Sequence, residues 1–390
     1  RSFIACCLLT TAYCFSQILD DTTKLIYGPH TTHYVYEEKI FKGADTLHPV
    51  DTLIDGFHKK TVFIWGEKWG ENFYQDLGNL GTASKPIYWK QPDQIGVNLG
   101  FDVYNRYAFD PVKIKYYDTK SPFTDISYLQ GGKGEQYLKV GFSRNINKQW
   151  NIGSYLRRII SKKQFNLTPI SITPDPDNLN NKQIDSYALI IFSRFFSENK
   201  RYQLLVNYSF LNHFIFENGG IKPDSADTPD SLFNYSLETP NLDFVKSTDR
   251  RNNYHLYQHF YLLKNSAIAL FHTFDRIKQT NRYKDNNLSG LAGNIDFYPV
   301  INFTSSVTSE RTIYQQINNK IGLKGNLKNI NYNLYFRRKE YEKEYEYACE
   351  PGNTCEGYAG WLNENFFGGG GSYFFKDNIA LKAEGEYLFF

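Results

Sequence analysis

From Thr124 onward the sequence alternates apolar and polar residues with a period of two, in segments of about ten residues. In 329–337, Ile330, Tyr332, Leu334 and Phe336 share one face, while Asn331, Asn333, Tyr335 and Arg337 share the other. In 137–143, Leu138, Val140 and Phe142 oppose Tyr137, Lys139 and Ser143. In 253–262, Tyr254, Leu256, Phe260 and Leu262 oppose Asn253, His255, Tyr257, His259 and Tyr261. Near the end, Ile379, Leu381, Ala383, Tyr387 and Phe389 oppose Lys382, Glu384 and Glu386. Each segment can therefore form a strand with one apolar and one polar face.

The connections alternate as well. Tight turns are predicted at 145–149, 197–200, 264–265, 299–300, 326–328 and 376–378, and long polar loops at 162–182, 217–250 and 341–358. Short turns at one end and long loops at the other are the rhythm of an outer-membrane β-barrel. Strands of roughly ten residues are long enough to cross a bilayer, and only a closed barrel satisfies their backbone groups in lipid. Aromatic residues make up 17% of the chain, with 31 Tyr, 31 Phe and 5 Trp, which suits the interfacial girdles of such a barrel. A secreted sandwich or β-helix would also alternate, but would not combine export, aromatic excess and this loop rhythm. With 44 basic and 41 acidic residues the net charge is +3, so nothing marks a nucleic-acid partner. The expected fold is all-β, a transmembrane antiparallel β-barrel preceded by an N-terminal segment of different character.

About 13 strands are predicted between 124 and 389, among them 288–298 and 301–309. An odd count sends the first and last strands the same way, whereas a closed antiparallel barrel of this kind uses an even number. Phe390 also shares the polar face of Glu384 and Glu386. A chain truncated at its C-terminus is therefore expected, the complete barrel having 14 or more strands.

The N-terminus reads as an export signal. Arg1 leads into the apolar run Phe3–Leu9, and Cys14 and Ser16 are small residues suited to cleavage after Ser16. Residues 1–16 are assigned to the signal peptide, 17–122 to the N-terminal segment and 123–390 to the barrel. Lipidation at Cys14 would leave the large Tyr13 at a site that prefers small residues. Of the five cysteines, Cys349 and Cys355 remain after cleavage, flanking a Pro351-Gly352 turn. In an oxidising compartment this spacing predicts a small disulfide-closed loop.

Several stretches also carry a family resemblance. They are Thr23–Tyr34, Asp51–Asp55, Tyr74-Gln75-Asp76-Leu77-Gly78-Asn79-Leu80-Gly81-Thr82-Ala83, Ile114-Lys115-Tyr116-Tyr117-Asp118-Thr119-Lys120-Ser121-Pro122, Tyr128-Leu129-Gln130-Gly131-Gly132 and Phe142-Ser143-Arg144-Asn145-Ile146-Asn147. Together they resemble the putative porin family of Bacteroidota outer membranes, from about Asp21 to the end and most strongly over 74–160. The resemblance implies an outer-membrane barrel and, by the family's name alone, passive transport; members are longer than this chain. It transfers no functional residue.

On the face assignment above, the lumen of the barrel would carry Lys139, Arg157, Lys320, Lys324, Arg337 and Lys382 against Asp275, Glu384 and Glu386. This basic excess would favour small anions in an open pore. His255 and His259 join this lining. Same-face neighbours along a strand are about 6.6 Å apart, so these two imidazoles lie about 13 Å apart, too far for one metal ion. His213 is placed on the lumen face of the preceding strand; His272, among Ile268, Leu270 and Phe274, is not. His30 and His33 form only a weak H-x-x-H. Residues 216–250 hold seven carboxylates against three cations, and Asp224, Asp227 and Asp230 recur every third residue. That is not the every-second spacing of a calcium loop, so a solvated surface loop is expected. Gly368–Gly371 predicts a bend or close approach within a strand. No enzyme motif, metal centre or cofactor fingerprint is present.

The expected function is a porin-like channel for passive diffusion of small hydrophilic solutes, mildly anion-preferring. The alternative is a non-conducting barrel serving as scaffold or subunit of an envelope assembly. Partners are outer-membrane lipid, lipopolysaccharide and small hydrophilic solutes, with homo-oligomers or envelope proteins as further candidates. Residues 17–122 have three readings: a plug, a periplasmic element or extra strands. Trp65, Trp69 and Trp89 point to an ordered, packed element there.

Overall fold

The computed structural model describes residues 32–37, 47–50, 74–89, 94–163, 182–221, 240–242, 245–263, 268–286, 288, 297–298, 307–327, 329–350, 353–375 and 379–389. Residues 1–16, expected to be the signal sequence, His30, Trp65, Trp69 and most of the acidic 222–244 stretch lie outside them.

Eleven strands form one continuous antiparallel sheet in chain order. They are β6 (Phe123–Gln130), β7 (Gln136–Asn145), β8 (Trp150–Lys162), β9 (Lys182–Phe196), β10 (Tyr202–Glu217), β11 (Val245–Tyr261), β12 (Ala269–Asp285), β13 (Thr308–Leu327), β14 (Ile330–Glu350), β15 (Asn353–Phe375) and β16 (Ile379–Phe389). Before them come β1 (Thr32–Val35), β2 (His48–Pro49) and β5 (Tyr116–Thr119), which make a small sheet of their own, and the ribbon of β3 (Tyr74–Asp76) with β4 (Ser84–Pro86).

The alternation holds along the large sheet. Asn331, Asn333, Tyr335 and Arg337 are all buried on one face, while Leu334 on the other is 52% exposed. The exposed face carries Ile126, Phe142, Leu156, Ile191, Leu270, Ile321, Phe336, Phe367 and Leu381. A sheet with an apolar bare face cannot be stable in water over such an area; it requires lipid, as in a membrane barrel. Trp150 pairs with Phe195, and Tyr202 with Phe260, at the short-turn rim. Such rings belong at the bilayer interface.

The buried face is covered by the N-terminal segment. Val35, Ile114, Tyr116 and Tyr117 form one apolar cluster with Tyr155, Ile190, Phe192, Leu205, Tyr257, Phe271 and Tyr335 of the sheet. Leu80, Tyr104 and Tyr107 form a second with Tyr137, Ile159, Ile184, Ala188, Leu211 and Ile215. The core thus lies between the segment and the sheet.

Three sequence expectations are corrected here. β12 pairs with β13 along their whole length, from Ala269↔Lys324 to Asp285↔Thr308. No strand of the large sheet therefore lies between them; Leu288, Phe297 and Tyr298 are outside any strand, Thr308 and Ser309 belong to β13, and nearly all the rest of the expected strands 288–298 and 301–309 lies outside the described residues. Secondly, 341–358 is not a loop: β14 runs to Glu350 and β15 begins at Asn353. Tyr, Glu and Lys interleave in 340–347, a stretch held by its backbone ladder to β13 as far as Tyr347 on one side and to β15 on the other, and it is β15 before Asn365 that runs past the end of β16. Trp89 is 83% exposed rather than packed.

Candidate functional site

Residues 94–107 cross the covered face as an irregular chain, and irregular backbone must find partners for each buried N–H and C=O. The sheet supplies them from successive strands. Arg337 of β14 donates through Nη2 to the Ile95 carbonyl at 3.1 Å. Lys339 of β14 donates to the Val97 carbonyl, which also accepts from Tyr314 of β13 at 3.3 Å. The Val97 N–H donates to the Glu364 carboxylate of β15 at 3.2 Å. Gln279 of β12 donates to the Phe101 carbonyl at 3.2 Å, and Arg251 of β11 donates to the Asn105 side chain at 2.5 Å. Tyr104 donates to Glu217 of β10 at 3.0 Å, and Arg157 of β8 takes the Tyr107 carbonyl. The strap is therefore fixed from β15 round to β8.

Tyr107, in a single 3-10 turn at Asn105–Tyr107, donates to the Thr82 carbonyl at 2.6 Å, and burial pushes its phenol up to about 12. It stays a neutral donor at physiological pH. Farther along, Asp118 of β5 lies 3.6 Å from Arg194 of β9, and its carboxylate accepts from Asn145 at 2.8 Å.

The expected lining residues mostly lie on this covered face, but they bind protein rather than face open water. Arg157 is engaged as above. His255 is held between Asp275 at 2.6 Å on Nδ1 and Glu37 of the segment at 2.5 Å on Nε2. His259 Nδ1 lies 3.1 Å from the Tyr257 hydroxyl, which also takes Lys324 Nζ. Arg337 makes a two-pronged pair with Glu386, 2.7 Å on each side, and lies 3.7 Å over the Phe366 ring. Such bidentate, charge-assisted pairs are the strong kind. Lys139 pairs with Asp125 at 3.2 Å. Lys320 sits 3.7 Å over the Tyr335 ring. Lys382 and Glu384 are exposed on the edge strand β16.

His213 is fully buried, stacked on Tyr107 at 5.0 Å. It pairs in register with Asp249, far along the strand from the His255 row at Asn207. The three imidazoles are not brought together, and among the described residues no group of three or more His, Cys, Asp or Glu could hold a metal. Cys355 pairs beside Tyr347 near a register shift at Ala348–Glu350; the Cys349 side chain lies outside the described residues.

Lys339 is the strap-holding wall residue most readily overlooked in the sequence. Its parity with Arg337 two residues earlier places it on the same face, and that signal alone finds it. The strap's own acceptors are backbone carbonyls, which leave no mark in a sequence. Glu37 likewise has no local signal, because its partner is 218 residues away.

Comparison with known proteins adds the following. Three solved receptor structures resemble the chain in part. The siderophore receptor PiuA from Acinetobacter baumannii has 9% identity and a TM-score of 0.41, over 70% of this chain and 46% of that one. The ferric-catecholate import receptor Fiu from E. coli K12 has 11% identity in its open form, with a TM-score of 0.43 over 72% and 47%. Its closed form gives 10% and 0.38 over 72% and 49%. The chain spans about half the length of these structures. No curated protein matches it. A family model described as putative porin matches residues 32–390, from β1 through the last strand. The inside-out sheet agrees with it: the chain belongs to the putative porin family and is a β-barrel protein of the bacterial outer membrane.

Proposed function

We propose that the protein is a porin-like passage for small hydrophilic solutes in which the 17–122 region serves as a plug. The observation that carries this reading is the strap at 94–107, whose backbone partners come from β15 round to β8. Irregular backbone at membrane depth is tolerated where protein buries it or water lines it, and here it would share the lumen with any solute. The interior charges are largely paired, which makes a wide, unobstructed pore the weaker form of the proposal. A mild anion preference is retained on the strength of Lys320, whose ammonium lies over an aromatic face and makes no ion pair among the described residues. The outer face would meet lipid and lipopolysaccharide.

The test is planar-bilayer conductance of the full-length protein purified from outer membranes. Small or intermittent steps are expected for the natural sequence, and larger, longer-lived steps for Arg157→Ala combined with Lys339→Ala, which removes two cationic anchors of the strap. Lys320→Glu is expected to shift the reversal potential toward cations. A second reading, a non-conducting scaffold, draws on the two apolar clusters that seal segment to sheet. A folded double variant that still shows no conductance would favour it.

A further inference from the structure

Between the segment and strands β11–β16 lies a cavity of about 60 Å³, bounded by Glu37, Gln94 and Val112 on one side and sheet side chains on the other. Most charges in it already satisfy one another: His255 with Asp275 and Glu37, and Arg337 with Glu386. Four groups keep unmet demands, and they divide by sign.

Lys320 and Arg337 stand directly opposite each other across β13 and β14. Like charges so placed repel, with Cβ atoms only about 4.5–5.5 Å apart. Lys320 makes no ion pair among the described residues; its ammonium lies over the Tyr335 and Phe271 rings, and the cavity carboxylates Glu37, Glu384 and Glu386 act on it only from farther off. Arg337, 1% exposed, spends Nε and Nη2 on Glu386 and Ile95 and leaves Nη1 without a hydrogen-bond partner. These two donors want an anion. On the same wall, Asn318, 3% exposed, donates through Nδ2 to Asp275 at 3.2 Å and leaves Oδ1 without a partner. Glu384, lining the cavity from β16, has no ion pair among the described residues. These two acceptors want a cationic donor. A buried polar atom left unpaired costs about 1–3 kcal/mol, which applies to Arg337 Nη1 and Asn318 Oδ1, so a ligand meeting both, with its charges toward the half-buried Lys320 and the exposed Glu384, is favoured over water that meets them loosely.

We propose that this cavity binds a small zwitterion of the amino-acid class, its carboxylate on Lys320 Nζ and Arg337 Nη1 and its ammonium toward Asn318 Oδ1 and Glu384. A plain anion would leave Asn318 Oδ1 and Glu384 unmet and add charge beside four carboxylates. A plain cation would leave Lys320 and Arg337 opposed. A water needs roughly 10–15 Å³ of such space, so the cavity has room for a molecule of about five heavy atoms, the size of glycine. The inference deepens the passage reading, and rests on it only in treating the ligand as a solute in transit.

The experiment is ligand-observed NMR titration of the full-length protein in detergent with glycine, acetate and methylammonium. Folding is checked by heat-modifiable migration, and conductance is recorded on the same preparation. Saturable glycine binding is expected, at least tenfold tighter than for acetate or methylammonium. Lys320→Ala should weaken it tenfold or more, and Lys320→Arg should largely restore it. Equal affinity for acetate and glycine, unchanged glycine binding in folded Lys320→Ala, or no saturable binding to the folded natural protein would each overturn the site. Conductance without glycine binding removes the site and leaves the passage; glycine binding to a barrel that never conducts removes the passage and leaves the site.

Discussion

Glycine positions on the covered face show how closely single residues are fitted. Gly368 of β15 lies under the Tyr335 ring of β14, and a Cβ there would come within 2.5 Å of Cζ and 2.6 Å of the hydroxyl. Gly141 of β7 lies in the same way under Tyr155 of β8. Both rings belong to the cluster that receives the segment, so small residues on one strand make space for the aromatic ring of the next. Gly368→Ala should therefore cost about 1–3 kcal/mol, the usual penalty for overpacking, seen as a lower urea midpoint in vesicle-folding experiments. Gly357→Ala, whose Cβ would meet only Tyr345 Cβ at an ordinary 3.8 Å, should be near neutral. Equal midpoints for the two variants would show that the Tyr335 ring moves freely. The run Gly368–Gly371 announces close approach in the sequence, but which ring approaches depends on the β14–β15 register and cannot be read from glycine alone.

At the scale of elements, strands were far more legible than the segment they carry. Period-two alternation states which side of each strand is apolar, and the parity of Arg337, His255 and Arg157 follows from it without knowledge of the partners. The strap has no such period, because its anchoring uses carbonyls of Ile95, Val97, Phe101 and Tyr107, whatever their side chains. The β14–β15 ribbon escapes the sequence for a different reason: turn residues Pro351 and Gly352 and the dense charge of 338–350 resemble a solvated loop, yet the backbone ladder to β13 continues as far as Tyr347 and holds the strand without an apolar side. Here the cysteine expectation becomes specific. Cys349 sits where the register shifts between Ala348 and Glu350, close to Cys355 across the turn, and we propose that the two are bridged. Peptide mapping without reductant should recover their peptides joined. Two freely alkylated thiols in protein taken from its native membrane would refute the bridge.

For the whole molecule, the sheet has apolar surface on both sides, met by lipid outside and by the segment inside. The two are separable in energy. The ladder of strand pairs and the lipid-facing side chains remain when the segment is removed, whereas Tyr155, Phe192, Tyr257, Phe271 and Tyr335 lose their cover. An arginine at Leu334, exposed on the lipid side, should cost about 2–4 kcal/mol if that residue lies near mid-bilayer, and should impair insertion of the intact protein. Deleting 17–122 from the full-length protein should act differently. The barrel should still insert and still migrate as a heat-modifiable species, because backbone pairing in a closed barrel does not depend on what fills it. Its conductance should rise above that of the natural protein, since the strap and both inner clusters leave the lumen together. An inserted deletion barrel with unchanged conductance would remove the plug reading. Failure to insert, with Leu334→Arg tolerated, would instead make the inner clusters the true core and the outer face secondary.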